Sequence, residues 1–418
     1  MKRRQHSFME VGLLVLPGVL LLLIATALLP STLHWHLLDL TIYARASEHV
    51  LQGHVPYKDF PLEYPPFALL PFVVPRLLAF NMPLTVEAYG GMFGFVNVLY
   101  SIGVALVLAA IAGESRRRIL LVYAVFVAMF APLLPWRYDL FPALLTMCAL
   151  LAVLRQRPLL AGVLLGLGVA AKLYPVVIIA AVAVFYLAHA DWRAALRLAC
   201  GSIVAGAVIM VPFLLLAPGQ MLSFVTYHEQ RGLQLESVAG GLAALSGALH
   251  LTNEQLAFNF GAMHLQSAFA SAVLGWLLPL FAGALLLVLW LWFRQFWREF
   301  QETGYIRFER LVACVVSVLL VFMVTNKVLS PQYMIWLLPF VPLLGVRQQA
   351  AFAVLLACTI TLFPFWYAQL QAFDVLPVLL LNVRNLLLIM FIPWLLLDGR
   401  FVTAARPAHS CVKPSGAA

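Results

Sequence analysis

Charged residues are scarce in this sequence of 418 residues, since Asp, Glu, Lys and Arg together make up only 10% of it. Soluble domains carry about 25% charged residues and about 45–50% apolar ones. Here 64% of the residues are apolar or aromatic. A single soluble globule is therefore excluded, and the composition indicates an all-α polytopic membrane protein.

Cysteine is also rare, with five in the chain and no Cys-x-x-Cys pair among them. Four of the five lie inside apolar runs, and none falls in a segment that we place outside the cell. We therefore expect no disulfide framework and interpret these cysteines as small, buried apolar side chains.

Motifs for soluble donors and for metals are missing as well. The sequence has no Gly-rich phosphate loop and no nucleotide-binding motif, which argues against a nucleotide sugar or ATP as substrate. His34 and His36 have neither the i, i+4 spacing nor the nearby carboxylates of a helical metal site. We expect no metal and no cofactor.

The distribution of positive charge predicts an orientation. The net charge is +9, and Lys and Arg favour the cytoplasmic loops of membrane proteins. With every basic cluster inside, about twelve spans fit the chain and both termini are cytoplasmic. The charge surplus is then mainly an orientation signal and does not indicate nucleic acid binding. The predicted spans are 11–30, 89–112, 119–135, 139–154, 159–172, 173–188, 196–216, 266–293, 310–325, 333–346, 349–366 and 375–397.

This topology predicts one transmembrane domain over residues 1–398 in the plasma membrane and a short cytoplasmic tail over 399–418. Two long loops, at about 31–88 and 217–265, lie outside. Because the external loops are long and rich in His, Tyr and Pro, we expect binding or chemistry there.

Two segments of the first external loop are predicted to be interfacial helices. Apolar residues recur at helical spacing in 41–52, and Gly53 ends that segment. The run 66–80 is apolar but short, and a crossing there would put the Arg116–Arg118 cluster outside.

The adjoining spans 159–172 and 173–188 are unusually short. A helix of 14 residues reaches only about 21 Å, so the turn from Lys172 to Pro175 should lie inside protein. A lysine at that depth is costly without an anionic partner. Arg384, in the middle of the last span, should likewise face protein or a cavity.

Acidic residues of the first loop are candidate catalytic groups. Asp39 is either an N-terminal cap of the first interfacial helix or a general base at the membrane boundary. Asp59 and Glu63 are alternative bases, or solvated loop charges that pair with Lys58.

Four cations flank external loops in the predicted topology, namely Arg137, Lys172, Arg231 and Lys327. If they converge on one cavity, a phosphate is its natural occupant, because several cations and helix N-termini would then face it.

Several motifs together resemble glycosyltransferase family 87, the polyprenol-phosphate-mannose-dependent mannosyltransferases of the GT-C class. They run from residue 39 to about 340, and each is weak alone. The motifs are Asp39-Leu40-x-x-Tyr43, Gly53-x-x-Pro56-Tyr57-x-Asp59-Phe60-x-x-Glu63-Tyr64-Pro65-Pro66, Lys172-Leu173-Tyr174-Pro175, His228-x-x-Arg231-Gly232-Leu233-Gln234-x-Glu236-Ser237 and Ser330-Pro331-Gln332-Tyr333.

The resemblance implies a GT-C-like helical bundle with an extracytoplasmic active site under the first loop and a lipid-phosphate sugar donor. It assigns the catalytic base to Asp39. Many relatives have two adjacent acidic residues, whereas Asp39 stands between Leu38 and Leu40, so no metal-binding role carries over. For the donor phosphate and substrate we predict Lys172, Tyr174, His228, Arg231, Glu236, Lys327 and Gln332, and the first-loop motif contributes Tyr43, Tyr57, Asp59, Glu63 and Tyr64.

The predicted activity is transfer of a hexose, mannose by the resemblance, from a polyprenyl phosphate to a lipid or glycan acceptor. A polyprenyl-linked lipid or sugar flippase or transporter is the alternative, since a buried Lys172 between broken helices suits an anionic substrate. Against it, the two halves show no repeat, and the polar residues crowd one side. A non-catalytic partner in an envelope complex is a third possibility.

Overall fold

The computed structural model describes residues 2–79, 85–398 and 411–412, and most of them are helical. The helices are α1 Lys2–Leu51, α2 Leu69–Leu78, α3 Val86–Ala112, α4 Arg116–Phe130, α5 Leu140–Leu154, α6 Pro158–Ala171, α7 Pro175–Ala188, α8 Trp192–Leu216, α9 Ser223–Gln230, α10 Val238–Ala248, α11 Ala268–Thr303, α12 Phe308–Val324, α13 Met334–Leu337, α14 Val346–Ile360, α15 Tyr367–Gln371 and α16 Val375–Leu397. The strands are β1 Leu233–Gln234, β2 Gln255–Asn259, β3 Ala262–Gln266, β4 Ile306–Arg307 and β5 Cys411–Val412.

Several of the helices suit a bilayer by length and composition. Six helical segments among the described residues are long and apolar enough to cross a membrane, which makes the chain a multi-pass membrane protein. Helices α5, α6 and α7 overlap their predicted spans but have only 14 or 15 residues. The number of twelve spans therefore stays a prediction.

The first helix differs from its predicted division. We expected a span to end near residue 30 and a separate interfacial helix over 41–52, but α1 runs unbroken for 50 residues. His36, Leu40, Tyr43 and Ser47 are buried along one side, and their spacing of three to four residues continues the helix against α3. Asp39 thus lies within a helix, and its interpretation as an N-terminal cap is wrong.

The predicted ends of the first-loop segments are partly confirmed. Leu51 ends α1, and Gly53 follows with a φ of 86°, as its predicted role as helix terminator requires. The run after Pro66 forms a turn of 3₁₀-helix and then α2, which buries Leu69 and Phe72. Residue 80 of the predicted range lies outside the described residues, and an interfacial position of α2 stays a prediction.

The predicted span 333–346 is broken in the structure. Only Met334–Leu337 is α-helical, between 3₁₀ turns at Pro331–Tyr333 and Val341–Leu343. Pro339 and Pro342 cause the break, because proline has no N–H to donate and its ring clashes with the preceding turn.

A small sheet lies within the predicted second external loop, where no strand was expected. β1, β3 and β2 pair antiparallel in that order, with Leu233 opposite Leu265 and Gln255 opposite Gln266. The two-residue turn between β2 and β3 is Phe260-Gly261, with φ of 47° and 70°. Positive φ at both positions matches the right-handed twist of a tight hairpin.

The predicted tail 399–418 lies outside the described residues except for β5, which pairs antiparallel with β4. The cysteine prediction is partly wrong. Cys314 and Cys358 are buried, but Cys200 is exposed, because it lies on the outward side of α8. The four cysteines with described side chains are free thiols.

Close helix packing fixes the position of α6, which leads into the predicted turn at Lys172. A Cβ on Gly162 would lie 2.1 Å from the carbonyl oxygen of Leu198, and one on Gly166 would lie 2.3 Å from that of Ser202. Glycine at these two positions therefore allows the backbones of α6 and α8 to touch, as is common between membrane helices.

Candidate active site

One cavity of about 1130 Å³ collects most of the predicted site residues. Its walls come from α1, the loop before α2, the turn between α6 and α7, the small sheet, α11 and the segment before α13. All four predicted cations, Arg137, Lys172, Arg231 and Lys327, line it. The other predicted residues that line it are Asp39, Glu63, Tyr64, Tyr174, His228, Glu236 and Gln332.

Three residues of the first-loop motif lie outside this cavity and shape the loop instead. The Tyr57 hydroxyl donates to the carbonyl oxygen of Tyr64 over 2.6 Å, and the N–H of Val55 donates to Asp59 Oδ2 over 2.7 Å. Tyr43 is buried and stacks on Phe72, with ring centroids 4.4 Å apart. These contacts hold the loop so that Glu63 and Tyr64 face the cavity.

Asp39 of α1 forms an ion pair with Arg137, which lies just before α5. Arg137 Nη2 donates to Asp39 Oδ2 over 2.9 Å, and the two side chains are 4% and 25% exposed. Arg137 Nη1 also donates to the carbonyl oxygen of Trp136 over 3.0 Å. The guanidinium is thereby fixed in direction, and it fixes the direction of the Asp39 carboxylate in turn.

Lys172 has the anionic partner that its depth requires. Its Nζ donates to Asp139 Oδ1, and Trp336 Nε1 donates to the same oxygen over 2.6 Å. Asp139 is fully buried, and 13% of the Lys172 side chain is exposed. Sequence reasoning missed Asp139, although its place directly after Arg137 and Tyr138, at the start of α5, was the available signal.

The local backbone explains the position of Lys172. Lys172 is extended, with φ of −159° and ψ of 140°, and Pro175 begins α7 two residues after Leu173. A proline at the first helical position preorganises the new helix. The turn is enclosed by protein, as predicted, and Lys172 Nζ lies 4.6 Å from the centroid of the Tyr138 ring.

Two sequence motifs that are far apart in the chain meet beside this lysine. Tyr174 stacks on Trp336 with centroids 4.3 Å apart, and Trp336 stacks on Tyr333 with centroids 3.9 Å apart. The Lys-Leu-Tyr-Pro turn and the Ser-Pro-Gln-Tyr segment therefore form one aromatic wall. Gln332 lies at its cavity side.

A second group of basic residues borders the cavity from the segment after α9 and the loop after α12. Lys327 Nζ donates to the carbonyl oxygen of Glu229 over 2.7 Å. Burial, followed by the charge of Arg231, lowers the pKa of His228 to about 4 and lowers the pKa of Lys327. His228 is therefore neutral at neutral pH, and the positive charge here belongs to Arg231 and Lys327.

Glu63 stands on another side of the cavity. Burial raises the pKa of its carboxyl, while a hydrogen bond from Tyr227 and the charge of Arg231 oppose that shift. Asp39 also raises the pKa of Glu63, because it acts on it as a like charge.

An apolar wall completes the cavity. It is formed mainly by α11 and the end of α12, through Leu274, Leu277, Leu278, Phe281 and Phe322. Leu278 is 73% exposed, and the apolar stretch of α11 has only 6% of its residues buried. The cavity therefore joins a charged end to the outward, lipid-facing side of the bundle, which suits an amphipathic ligand.

Within the described ranges, no group of three His, Cys, Asp or Glu side chains is placed to hold a metal ion.

Arg384 is buried and donates from Nη2 to the carbonyl oxygen of Glu236 over 2.8 Å. It faces protein, as predicted for a charge in the middle of a span.

Comparison with known proteins gives a family. The sequence matches no curated protein. The model of glycosyltransferase family 87 matches residues 62–325, which is more than half of the chain. The match includes Lys172, His228 and Arg231, and it begins after Asp39. The chain therefore belongs to glycosyltransferase family 87 and is a membrane glycosyltransferase.

Proposed function

We propose that the protein transfers a hexose, most simply mannose, from a polyprenyl-phosphate donor to a lipid or glycan acceptor. The observation that carries this proposal is the cavity itself, in which four cations and the carboxyl groups of Asp39, Glu63, Glu229 and Glu236 adjoin an apolar wall of α11. A polyprenyl-phosphate sugar matches this arrangement of a charged part beside an apolar part, because its lipid is apolar, its phosphate is anionic and its sugar is polar.

The basic residues would stabilise the departing phosphate. When the bond between the anomeric carbon and the phosphate oxygen breaks, negative charge grows on that oxygen. Fixed cations in a site with little water stabilise this charge more in the transition state than in the ground state. Arg231, Lys327 and Lys172 fill this role, and Lys172 contributes less net charge because Asp139 compensates it.

Asp39 is the proposed general base. It would accept the proton of an acceptor hydroxyl while the hydroxyl oxygen bonds to the anomeric carbon, and polyprenyl phosphate leaves from the opposite face. This single displacement inverts the anomeric configuration. The ion pair with Arg137 supports the assignment, because it holds the carboxylate in one direction at the cavity wall.

We place the active site on the extracytoplasmic side of the plasma membrane, with both termini in the cytoplasm. This part of the proposal rests on the distribution of Lys and Arg, which crowd the opposite connections. It predicts that a membrane-impermeant reagent added to intact cells modifies a cysteine introduced at exposed Leu251 but not one at Arg155, after the exposed native Cys200 is replaced by Ala.

The direct test uses purified protein in lipid nanodiscs with polyprenyl-phosphate-mannose. Wild type should release polyprenyl phosphate and mannosylate the acceptor fraction of a membrane extract. Asp39→Asn should abolish transfer while binding polyprenyl phosphate as tightly as wild type. Asp59→Asn is the matched control and should remain active, because Asp59 lies outside the cavity and the asparagine oxygen can still accept the bond from the N–H of Val55. Near-normal turnover of Asp39→Asn would move the base to Glu63.

The same purified protein, reconstituted in liposomes, tests the flippase alternative, which the buried pair of Lys172 and Asp139 keeps open. In liposomes, a flippase would move a fluorescent donor between leaflets without cleaving it. Release of polyprenyl phosphate without such movement would support transfer.

A further inference from the structure

The segment from Gln234 to Glu236 forms a wall of the cavity whose chemistry differs from that of the neighbouring cations. The side chains of Gln234 and Glu236 line the cavity and are 2% and 4% exposed, respectively. The N–H of Gln234 donates to the carbonyl oxygen of Lys327 over 2.9 Å, so this wall directly adjoins the cationic group.

Each of these side chains holds an unused hydrogen-bond acceptor. Within the described part of the chain, Gln234 Oε1 and Glu236 Oε2 are buried without a hydrogen-bond partner. Buried polar atoms in native proteins are nearly always paired, so two orphans side by side on a cavity wall need an explanation. The terminal torsions of Gln and Glu are soft, so both oxygens can rotate toward the cavity that their side chains line.

Neither oxygen attracts an anion, although burial raises the pKa of the Glu236 carboxyl and so disfavours its charged form. A carboxylate repels phosphate and accepts hydrogen bonds, whereas Arg231 and Lys327 attract phosphate and only donate. The resemblance placed Glu236 in the same substrate-binding set as these cations, but the two acceptor oxygens require a group that donates hydrogen bonds. Hydroxyl groups meet that requirement without a charge.

Aromatic side chains continue the wall. The Tyr367 hydroxyl lies beside the Glu236 carboxyl, and the rings of Tyr367 and Phe363 meet edge to face with centroids 5.0 Å apart. Both rings line the cavity. A sugar ring presents hydroxyls at its edge and C–H groups on its face, so it matches acceptor oxygens next to aromatic carbon.

Polar side chains of α16 hold the wall from behind. Arg384 Nη2 donates to the carbonyl oxygen of Glu236 over 2.8 Å, and Asn385 Nδ2 donates to that of Ser237 over 3.1 Å. Because these bonds go to the main chain, they fix the backbone and use neither Gln234 Oε1 nor Glu236 Oε2. The Glu236 carboxyl is hydrogen-bonded within the wall by Tyr367 and Gln234. Such support from a second layer is typical of preorganised binding sites.

We propose that Gln234, Glu236 and Tyr367 form a subsite that binds the hydroxyl groups of a sugar ring, beside the cationic phosphate site. The inference rests on the proposed glycosyl transfer. The ring is either the hexose of the donor or a sugar of the acceptor, which present the same hydroxyl chemistry.

Binding measurements with three probes separate these possibilities. The probes are polyprenyl phosphate, polyprenyl-phosphate-mannose and n-octyl α-mannoside, each titrated into the protein in nanodiscs. Maltoside detergents are avoided, since their sugars would compete. Glu236→Gln should bind polyprenyl phosphate within about twofold of wild type and weaken a sugar-bearing probe at least about tenfold, the effect of losing one charged hydrogen bond.

The pattern of loss identifies the source of the sugar. Weaker binding of polyprenyl-phosphate-mannose alone assigns the subsite to the donor hexose, and weaker binding of octyl mannoside alone assigns it to the acceptor. Lys327→Gln is the matched control and should weaken only the two phosphate probes. Unchanged binding of both sugar-bearing probes to Glu236→Gln, or an equal loss for polyprenyl phosphate, would overturn the inference.

A second variant guards against misfolding. Tyr367→Phe removes one hydroxyl beside Glu236 and keeps the ring, so it should shift the same probe in the same direction by a smaller factor. If Glu236→Gln does not fold, an unchanged Tyr367→Phe overturns the subsite. Failure of wild type to release polyprenyl phosphate would refute hexose transfer instead, and it is read in a separate assay.

Discussion

Arg137 donates to Asp39 over 2.9 Å, and only 4% of the arginine side chain is exposed. The pair joins α1 to the segment before α5 at the wall of the cavity. A buried guanidinium that is also bonded to the carbonyl oxygen of Trp136 has little freedom to move. Asp39 is therefore held in one direction by a rigid partner, which has a consequence for catalysis.

Replacing Arg137 should impair turnover more than donor binding. Arg137→Gln removes the group that orients Asp39, and misplacing a catalytic group by about 1 Å costs about 100-fold in rate. We expect kcat to fall by about that factor, with a smaller change in the donor KM. Arg45→Gln is the control, because Arg45 lies on the exposed side of α1, the helix that contains Asp39, and it should keep wild-type kinetics. A normal kcat for Arg137→Gln would show that Asp39 needs no orienting partner.

The pair of Lys172 and Asp139 predicts a non-additive effect on stability. Asp139→Leu or Lys172→Met alone leaves one buried charge unpaired, which costs about 3–5 kcal/mol when a buried pair is broken. The double variant removes both charges and should recover most of the loss in apparent melting temperature. Its transfer activity should stay low, because the phosphate loses a cation. A double variant as unstable as the sum of the singles would contradict the pairing.

The protein should lose stability as the pH falls, partly through His264. Burial, followed by the charge of Arg231, lowers the pKa of this histidine to about 4, whereas an unfolded histidine titrates near 6.5. Between pH 6.5 and 4 the unfolded chain binds a proton that the folded protein does not, so unfolding becomes easier. His264→Gln should make the decline of melting temperature over this range shallower.

His250→Asn, at an exposed turn, is the control for that measurement. It should reproduce the wild-type dependence on pH, because it changes only an exposed side chain. An identical slope for His264→Gln would show that other groups cause the loss of stability.

Much of the helical architecture follows from local patterns. The apolar runs over 89–112, 196–216 and 375–397 correspond closely to α3, α8 and α16. Such runs are readable because a helix in lipid satisfies its own backbone hydrogen bonds whatever its neighbours are. Two local predictions were wrong. The predicted division of α1 is absent because packing continues the helix, and the predicted span over 333–346 is broken after Leu337 because two prolines lie close together.

The sequence predicted which residues belong to the candidate site but not which of them contact one another. Motifs identified Asp39, Lys172 and Arg231, the predicted topology identified Lys327, and the need for a counter-charge to Lys172 was apparent. The identity of that counter-charge, Asp139, was not. It lies 33 positions away in the chain and shares its oxygen with Trp336, which is 197 positions away from it. No local pattern specifies a contact between residues so distant.

The amino-acid sequence by itself determined that this chain is a helical membrane protein of the family 87 type, because hydropathy and motifs are properties of short segments. Only the tertiary structure decided which charges neutralise one another and which acceptor oxygens stay unused at the cavity. Whether a polar group is paired or unused depends on distances of about 3 Å between segments far apart in the chain. The tertiary structure separates Arg231 and Lys327, which suit a phosphate, from Gln234 and Glu236, which suit a sugar.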